Sequence, residues 1–301
     1  MPLDRNLAPN IRANVTAALE EDMGIPLAHE RERREMDLDA AMSNADLTAR
    51  LIPDHAPGHA RVITRQPMVL CGVPWFEECF RTLDANCEIR WELREGEAAK
   101  PGQTLCEIRG SARAMLTAER PALNFLQLLS ATATETRRYV EAVAGTQAKI
   151  MDTRKTLPGL RMAQKYAVKA GGGHNQRIGL FDGVLIKENH IVAAGGIRAA
   201  LEQAFRLAPP EAMVQIEVEN VDELREALDA GAKLILLDNF DLEGMRDAVR
   251  ITAGRAELEA SGGVNLQTVR AIAETGVDRI SIGSLTKDVK AIDLSMRFLP
   301  A

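Results

Sequence analysis

Residues 232–240, AKLILLDNF, followed by residues 242–254, LEGMRDAVRITAG, decide the fold class. The first run is short, apolar from Leu234 to Leu237 and closed by Asp238, which suits a strand covered on both faces. The second reads as a helix that stops at a glycine. The same rhythm of strand, charged end and helix runs from residue 148 onward. AKIMDTRK (148–155) precedes GLRMAQKYAVKAGG (159–172), and DGVLIKENH (182–190) precedes GIRAALEQAFRLA (196–208). VQIEVEN (214–220) precedes VDELREALDAG (221–231), AELEASGG (256–263) precedes NLQTVRAIAETG (265–276), and DRISIGS (278–284) comes last. Strands alternating with helices imply a parallel α/β sheet. No stand-alone GxGxxG marks a dinucleotide crevice, so a barrel is preferred to an open sheet.

Upstream the pattern differs. IRANVTAALEEDM (11–23) carries a helical stripe of Ile11, Val15, Leu19 and Met23. HERERREMDLDAAMSNADLTA (29–49) is polar and charge-rich, expected as a solvated helix or mobile insertion. ARVITR, MVLCG, CEIRWELR and QTLCEIRG read as short strands, with VPWFEECFRTL (73–83) a helix between them and Pro74 in its first turn. Residues 111–145 are expected to form two helices, the second opening near Glu119–Arg120 with Pro121 in its first turn. LTKDVKAIDLSMRFLPA (285–301) is expected as an amphipathic segment that could return to the first domain.

Composition narrows the function classes. The chain has 301 residues, a formal charge of −6 and only 4% aromatic residues, which argues against a nucleic-acid surface. No apolar run is long enough for a membrane span. MPLDRNLAPN lacks a basic and then apolar leader, and the four cysteines (Cys71, Cys79, Cys87, Cys106) show no C-x-x-C. Together these lead to the expectation of a cytoplasmic protein with reduced thiols. No HExxH or HxH pattern suggests zinc.

Within this acidic chain, residues 152–190 concentrate Arg154, Lys155, Arg161, Lys165, Lys169, Arg177 and Lys187 against Asp152, Asp182 and Glu188. Arg161, Lys165 and Lys169 fall on one helical face and read as surface charge. Arg154, Lys155 and Lys187 end apolar strands, where a cation is costly unless an anion meets it. In parallel barrels function sits at the C-terminal strand ends. Here the first two ends supply cations: Arg154 and Lys155 beside Thr153, then Lys187 beside Glu188, Asn189 and His190. The next two supply carboxylates, Glu217 with Glu219, then Asp238. The last two supply Ser261, Gly262, Gly263 and Gly283, Ser284, small residues that expose backbone N–H groups to a phosphate. Carboxylates beside a polyphosphate usually hold Mg²⁺. The set suits a phosphorylated sugar, a divalent cation and an anionic co-substrate.

These residues resemble those of the quinolinate phosphoribosyltransferase family (nicotinate-nucleotide pyrophosphorylase, carboxylating). The resemblance rests on ERPALNFLQ (119–127), DTRKTLPGLR (152–161), KYAVKAGGGHNQRIGLFDGVLIKENHI (165–191), EVEN (217–220), LLDNF (236–240), SGG (261–263) and SIGSLTK (281–287). Weaker likenesses are DLTARLIP (46–53) and ARVITR with VLCGVPW. It implies an N-terminal α+β sandwich over 1–128, joined by the segment 286–301, and an incomplete parallel α/β barrel over 129–285. It implies transfer of phosphoribose from phosphoribosyl pyrophosphate to quinolinate with loss of pyrophosphate and CO₂, giving nicotinate mononucleotide for NAD synthesis. It also implies Mg²⁺ and a homodimer, or a higher oligomer, in which Arg120 reaches the partner's site.

By the same resemblance Arg154 and Arg177 clamp the two quinolinate carboxylates, and Lys155 and Lys187 face quinolinate and the diphosphate. Glu217 and Asp238 contact the ribose and Mg²⁺, directly or through water, with Lys155, Glu217 and Asp238 as the catalytic set. Ser261, Gly262, Gly263, Ile282, Gly283 and Ser284 cradle the 5′-phosphate, and Thr153 lies in the substrate-binding set. Family members often carry a histidine where this chain has Gln176, whose N–H can still be donated to a carboxylate. Two rival readings stay open: a related phosphoribosyltransferase with another acceptor, and a non-catalytic barrel.

Overall fold

The structure is a computed structural model and describes residues 7–25, 27 and 45–300. Most of the charge-rich 29–49 stretch, residues 29–44, lies outside the described residues. The chain divides into two compact units: 1–134 with 158–171 and 289–301, and 135–157 with 172–288.

The first unit opens with helix α1 (Leu7–Met23), whose Ile11, Val15, Leu19 and Met23 are buried. A four-stranded antiparallel sheet in the order β12-β1-β5-β3 follows, built from β1 (Pro57–Thr64), β3 (Glu88–Trp91), β5 (Thr104–Ser111) and β12 (Leu294–Phe298). Buried and less buried residues alternate along β1, as a sheet with one solvated face requires. β2 (Met68–Val69) and β4 (Ala98–Ala99) form a separate two-stranded ladder. Helix α2 (Val73–Leu83) has the bounds expected from its sequence and buries Trp75, Phe76, Cys79 and Phe80.

Residues 111–145 do not form two helices. One helix, α3 (Ala112–Ala142), runs through Pro121. Proline removes an intrahelical hydrogen bond and crowds the preceding turn. The helix continues because one buried stripe spans the proline: Met115, Ala118, Ala122, Leu126 and Leu129. The 285–301 segment is expected as amphipathic, able to return to the first domain, with no element type assigned. It returns to the first unit as strand β12, which pairs with β1. Helix α4 (Arg161–Ala170) belongs to the first unit, and its Lys165 is fully buried, contrary to the surface reading.

The second unit is an incomplete parallel α/β barrel with six strands in the order β6-β11-β10-β9-β8-β7. They are β6 (Lys149–Met151), β7 (Gly183–Ile186), β8 (Met213–Val218), β9 (Leu234–Asp238), β10 (Glu257–Ser261) and β11 (Arg279–Ser281). The gap in the ladder falls between β6 and β7, and the free side of β6 meets His174 through an isolated bridge. Between the strands lie α5 (Glu188–Ala194), α6 (Ile197–Leu207), α7 (Val221–Asp229), α8 (Leu242–Thr252) and α9 (Val269–Ala273), with α10 (Ser284–Lys287) after β11.

Ile150, Ile186, Ile216, Val218, Ile235, Leu237, Leu258, Ala260, Ile280 and Ile282 pack with the helix residues Leu201, Leu224, Ala227, Met245, Ala248 and Val269 in one core. Side chains alternate along a strand. The opposite face therefore carries Gln215, Glu217, Leu236, Asp238, Glu259, Ser261 and Ser281, which look into the barrel. Among the described residues no helix is long and apolar enough to cross a membrane.

Glu95 in the first unit accepts hydrogen bonds from Gly72 N at 2.7 Å and Val73 N at 3.2 Å, at the start of α2. Desolvation pushes its pKa above the ordinary 4.5 despite these N–H groups and the nearby Cys71 and Tyr166 side chains. The folded state therefore holds this proton more tightly than the unfolded chain. The resulting stabilisation is full below the unfolded pKa and is lost as pH rises through the folded value. Glu95→Gln removes the titration. Urea titrations are expected to show wild type losing ground to the variant as pH rises from below 4.5, and a gap that is constant or widens in favour of wild type contradicts this.

Candidate active site

The inward faces of the barrel strands and the turns that follow them build the site. After β6 the chain gives Thr153, Arg154 and Lys155. Thr153 Oγ1 accepts from Lys155 N at 3.0 Å, and Thr286 Oγ1 donates to Lys155 O at 2.8 Å. These bonds tie the turn after β6 to α10, the helix that follows β11. Gly283 lets the lysine side chain cross it: a Cβ there would sit 3.1 Å from Lys155 Cδ and 3.9 Å from Nζ. Ser284 Oγ, one residue on, is buried with no hydrogen-bond partner, as suits a group that awaits an oxygen-rich ligand.

Across the barrel, Lys187 follows β7 and Glu217 lies on β8. Their side chains pair at 2.8 Å, the lysine 50% exposed and the glutamate 14%. Such a pair is partly screened by solvent. Lys187 N donates to His190 Nδ1 at 3.1 Å, which fixes the lysine at the start of α5. Asp238 ends β9. Burial first, then the Glu217 carboxylate, pushes its pKa up, while Lys187 and Lys155 oppose this. Both lysines and the Glu217 carboxylate thus act on Asp238. Glu219 is exposed, and Glu188 foremost, with Glu223, Asp238 and Glu217, pushes its pKa up. The carboxylate paired with Lys187 is Glu217, whereas the charges acting on Glu219 are acidic.

Arg177 donates from Nη1 to Gly183 O at 3.0 Å. Burial and then the neighbouring Arg154 lower its pKa, with Asp182 opposing. Two guanidiniums are thus held near each other, an arrangement that an anion between them would relieve. After β10, Gly262 has φ +99° and Gly263 φ +60°, and a Cβ on Gly262 would fall 2.5 Å from Asn239 Oδ1. Only glycine makes this turn without strain, and it leaves backbone N–H groups uncovered by side chains. Ser261 and Ile282, half-buried and buried, are the strand-end residues before these turns.

Arg120 is exposed on α3 in the first unit. Gln176 belongs to the barrel, but its amide Nε2 lies 2.8 Å from Gln215 Oε1 and 2.8 Å from each oxygen of Glu259. It is engaged with the barrel interior. Sequence reasoning missed this polar floor of Gln215, Glu259 and Ser281, which lies two residues before Glu217, Ser261 and Gly283 on the same strand faces. A polar residue repeating at period two inside an apolar strand was the available signal. It also missed the role of Asp152, fully buried, which accepts from Gln176 N at 2.8 Å and from Asn175 Nδ2 at 2.6 Å and so anchors that turn.

Among the described residues no group of three or more His, Cys, Asp or Glu side chains is set to hold a metal ion. Glu217 and Asp238 alone fit Mg²⁺ only in its common mode, with one or two carboxylates and the remaining ligands from water and substrate phosphate. The raised pKa of Asp238 fits a carboxylate that a cation would relieve.

The family models for the quinolinate phosphoribosyl transferase N-terminal and C-terminal domains match residues 46–130 and 132–297. The chain is 40% identical over 255 residues to a probable nicotinate-nucleotide pyrophosphorylase (carboxylating) of Bacillus subtilis, covering 85% of this chain and 88% of that protein. It is 41% identical over 243 residues to the Mycobacterium leprae nicotinate-nucleotide pyrophosphorylase (carboxylating), covering 78% and 84%. The solved nicotinate-nucleotide pyrophosphorylase of Francisella tularensis superposes with a TM-score of 0.87 at 41% identity, covering 99% of this chain and 98% of that one. A barrel with paired cations at one side of its mouth and paired carboxylates at the other is thus that of a phosphoribosyltransferase. The chain belongs to the quinolinate phosphoribosyltransferase family.

Gly283→Ala is expected to crowd Lys155 without straining the backbone, since φ at Gly283 is −70°. The melting temperature should move by less than about 4 °C. Affinity for inorganic pyrophosphate, a simple polyanion probe, should fall about tenfold or more by calorimetry. Unchanged affinity would show that Lys155 does not face the polyanion.

Proposed function

We propose that this enzyme transfers phosphoribose from phosphoribosyl pyrophosphate to quinolinate, releases pyrophosphate and CO₂ and forms nicotinate mononucleotide for NAD biosynthesis. The family supports the reaction. The single structural observation that carries it is the sorted mouth of the barrel. Arg154 and Arg177 lie close enough to repel, and Lys155 and Lys187 converge on Glu217 and Asp238.

In this reading Arg154 and Arg177 hold the two acceptor carboxylates, and Gln176 acts from behind them. Lys155 and Lys187 neutralise the departing diphosphate. Glu217 and Asp238 lie against the ribose and support the positive charge that grows at its anomeric carbon. The Gly262–Gly263 turn, Ile282, Gly283 and Ser284 take the 5′-phosphate, with Ser261 and Thr153 at their edges. Mg²⁺, held by Glu217 and Asp238, would screen diphosphate charge. The pyridine nitrogen attacks the anomeric carbon, and the C–O bond to diphosphate breaks with its electron pair. The new pyridinium then accepts the electrons of the adjacent C–CO₂ bond, CO₂ leaves, and a proton takes its place. The protein's part is positioning and electrostatics.

We further propose a cytoplasmic homodimer. The four cysteines, all free thiols, support the compartment. Arg120, exposed on α3, would complete the partner's site.

Incubation with quinolinate, phosphoribosyl pyrophosphate and Mg²⁺ should yield nicotinate mononucleotide and CO₂; folded protein that yields neither overturns the reading. Lys155→Ala should lower kcat by about 10²–10³. Mixing the impaired Arg120→Ala and Lys155→Ala variants should restore part of the activity through mixed dimers, above the sum of the two alone. No recovery after demonstrated subunit exchange removes Arg120 from the partner's site.

A further inference from the structure

Below the mouth, Glu259 is fully buried on the inner face of β10. Its donors are neutral: Gln176 Nε2 reaches both carboxylate oxygens at 2.8 Å, and Ser281 Oγ donates to one of them. Burying a carboxylate against neutral partners is costly. A residue needed only to fill the barrel would be apolar, as Leu236 is beside it in register.

The geometry of Gln176 shows what this carboxylate holds. An amide carries two N–H hydrogens. Its three acceptors, Gln215 Oε1 and the two Glu259 oxygens, all lie on the barrel-interior side and take both hydrogens. Its Oε1 accepts from the backbone N–H of Arg177 at 3.1 Å. The side chain is therefore a strut from Glu259 to the Arg177 backbone. Asp152 braces the same turn through Gln176 N and Asn175 Nδ2, and Gly183 O receives the Arg177 guanidinium. Arg177 thus starts from a turn fixed at two buried carboxylates.

We propose that Glu259 is a positioning residue for the acceptor: through Gln176 it sets the direction of Arg177 and thereby the preference for an acceptor with a second carboxylate. This rests on the reaction proposed above. Glu259 touches no substrate; it acts on acceptor affinity and leaves the phosphoribosyl half of the site alone.

Glu259→Gln keeps the shape but sets one amide N–H₂ group against another. The KM for quinolinate, and its Kd by calorimetry, should rise about tenfold or more. The KM for phosphoribosyl pyrophosphate should stay within about twofold and kcat within about threefold. A general loss of packing would move both KM values together, and that result, or an unchanged quinolinate KM, overturns the proposal. The exchanged pair Gln176→Glu with Glu259→Gln supplies a rescue. Gln215 Nε2, buried without a partner, can turn to donate to the new carboxylate, so quinolinate affinity should recover substantially; failure to recover counts against the strut. If Glu259→Gln does not fold, Gln176→Asn shortens the strut by one methylene and must give the same split between the two KM values. Wild type serves as the control: if it makes no nicotinate mononucleotide, the functional reading itself falls and this inference with it. An active wild type without the KM split overturns this inference alone.

Discussion

Like charges held close together at the open end of the barrel set the terms for the rest of the second unit. Arg177 lies by Arg154, and Asp238 lies by Glu217. Asp182 opposes the first at Arg177, and the two lysines oppose the second at Asp238. Active sites commonly store such conflicts, because a ligand of opposite charge relieves them. The arginines call for an anion. The carboxylates call for positive charge, whether a cation or a sugar carbon that becomes electron-poor.

Stability must then come from elsewhere, and the strands supply it with their outer faces. Ile216, Val218, Ile235, Leu237, Leu258 and Ala260 pack against the helices in one continuous core. The inner face is thereby free to be polar. It is graded from the Gln215–Glu259–Ser281 floor to the charged mouth. The floor matters because it reaches the mouth through Gln176 and so turns a buried carboxylate into a support for an arginine.

Much of this was legible in sequence. The alternation of strand and helix from residue 148 pointed to a parallel sheet, Arg154, Lys155 and Lys187 stood out because a cation at the end of an apolar strand is costly, and Glu217 and Asp238 stood out only as part of the sorted series of strand ends. Other features were hidden for physical reasons. Pro121 signals a helix start by local chemistry, but buried packing on both sides of it carries α3 through. Lys165 matches a surface face by spacing, yet tertiary context buries it. The final segment read only as amphipathic, and pairing with β1 makes residues 294–298 a strand. Gln176 looked like a ligand-facing substitute because its barrel partners, Gln215 and Glu259, are distant in sequence.

The paired guanidiniums are the core of the functional claim, and acceptor selectivity tests them most directly. Quinolinate and nicotinate, which differ by one carboxylate, should be titrated into the protein by calorimetry at one ionic strength. A carboxylate lost from a charged, hydrogen-bonded contact costs about 2 kcal/mol or more, so quinolinate should bind at least about 30-fold more tightly. Equal affinities would contradict a two-carboxylate clamp at Arg154 and Arg177.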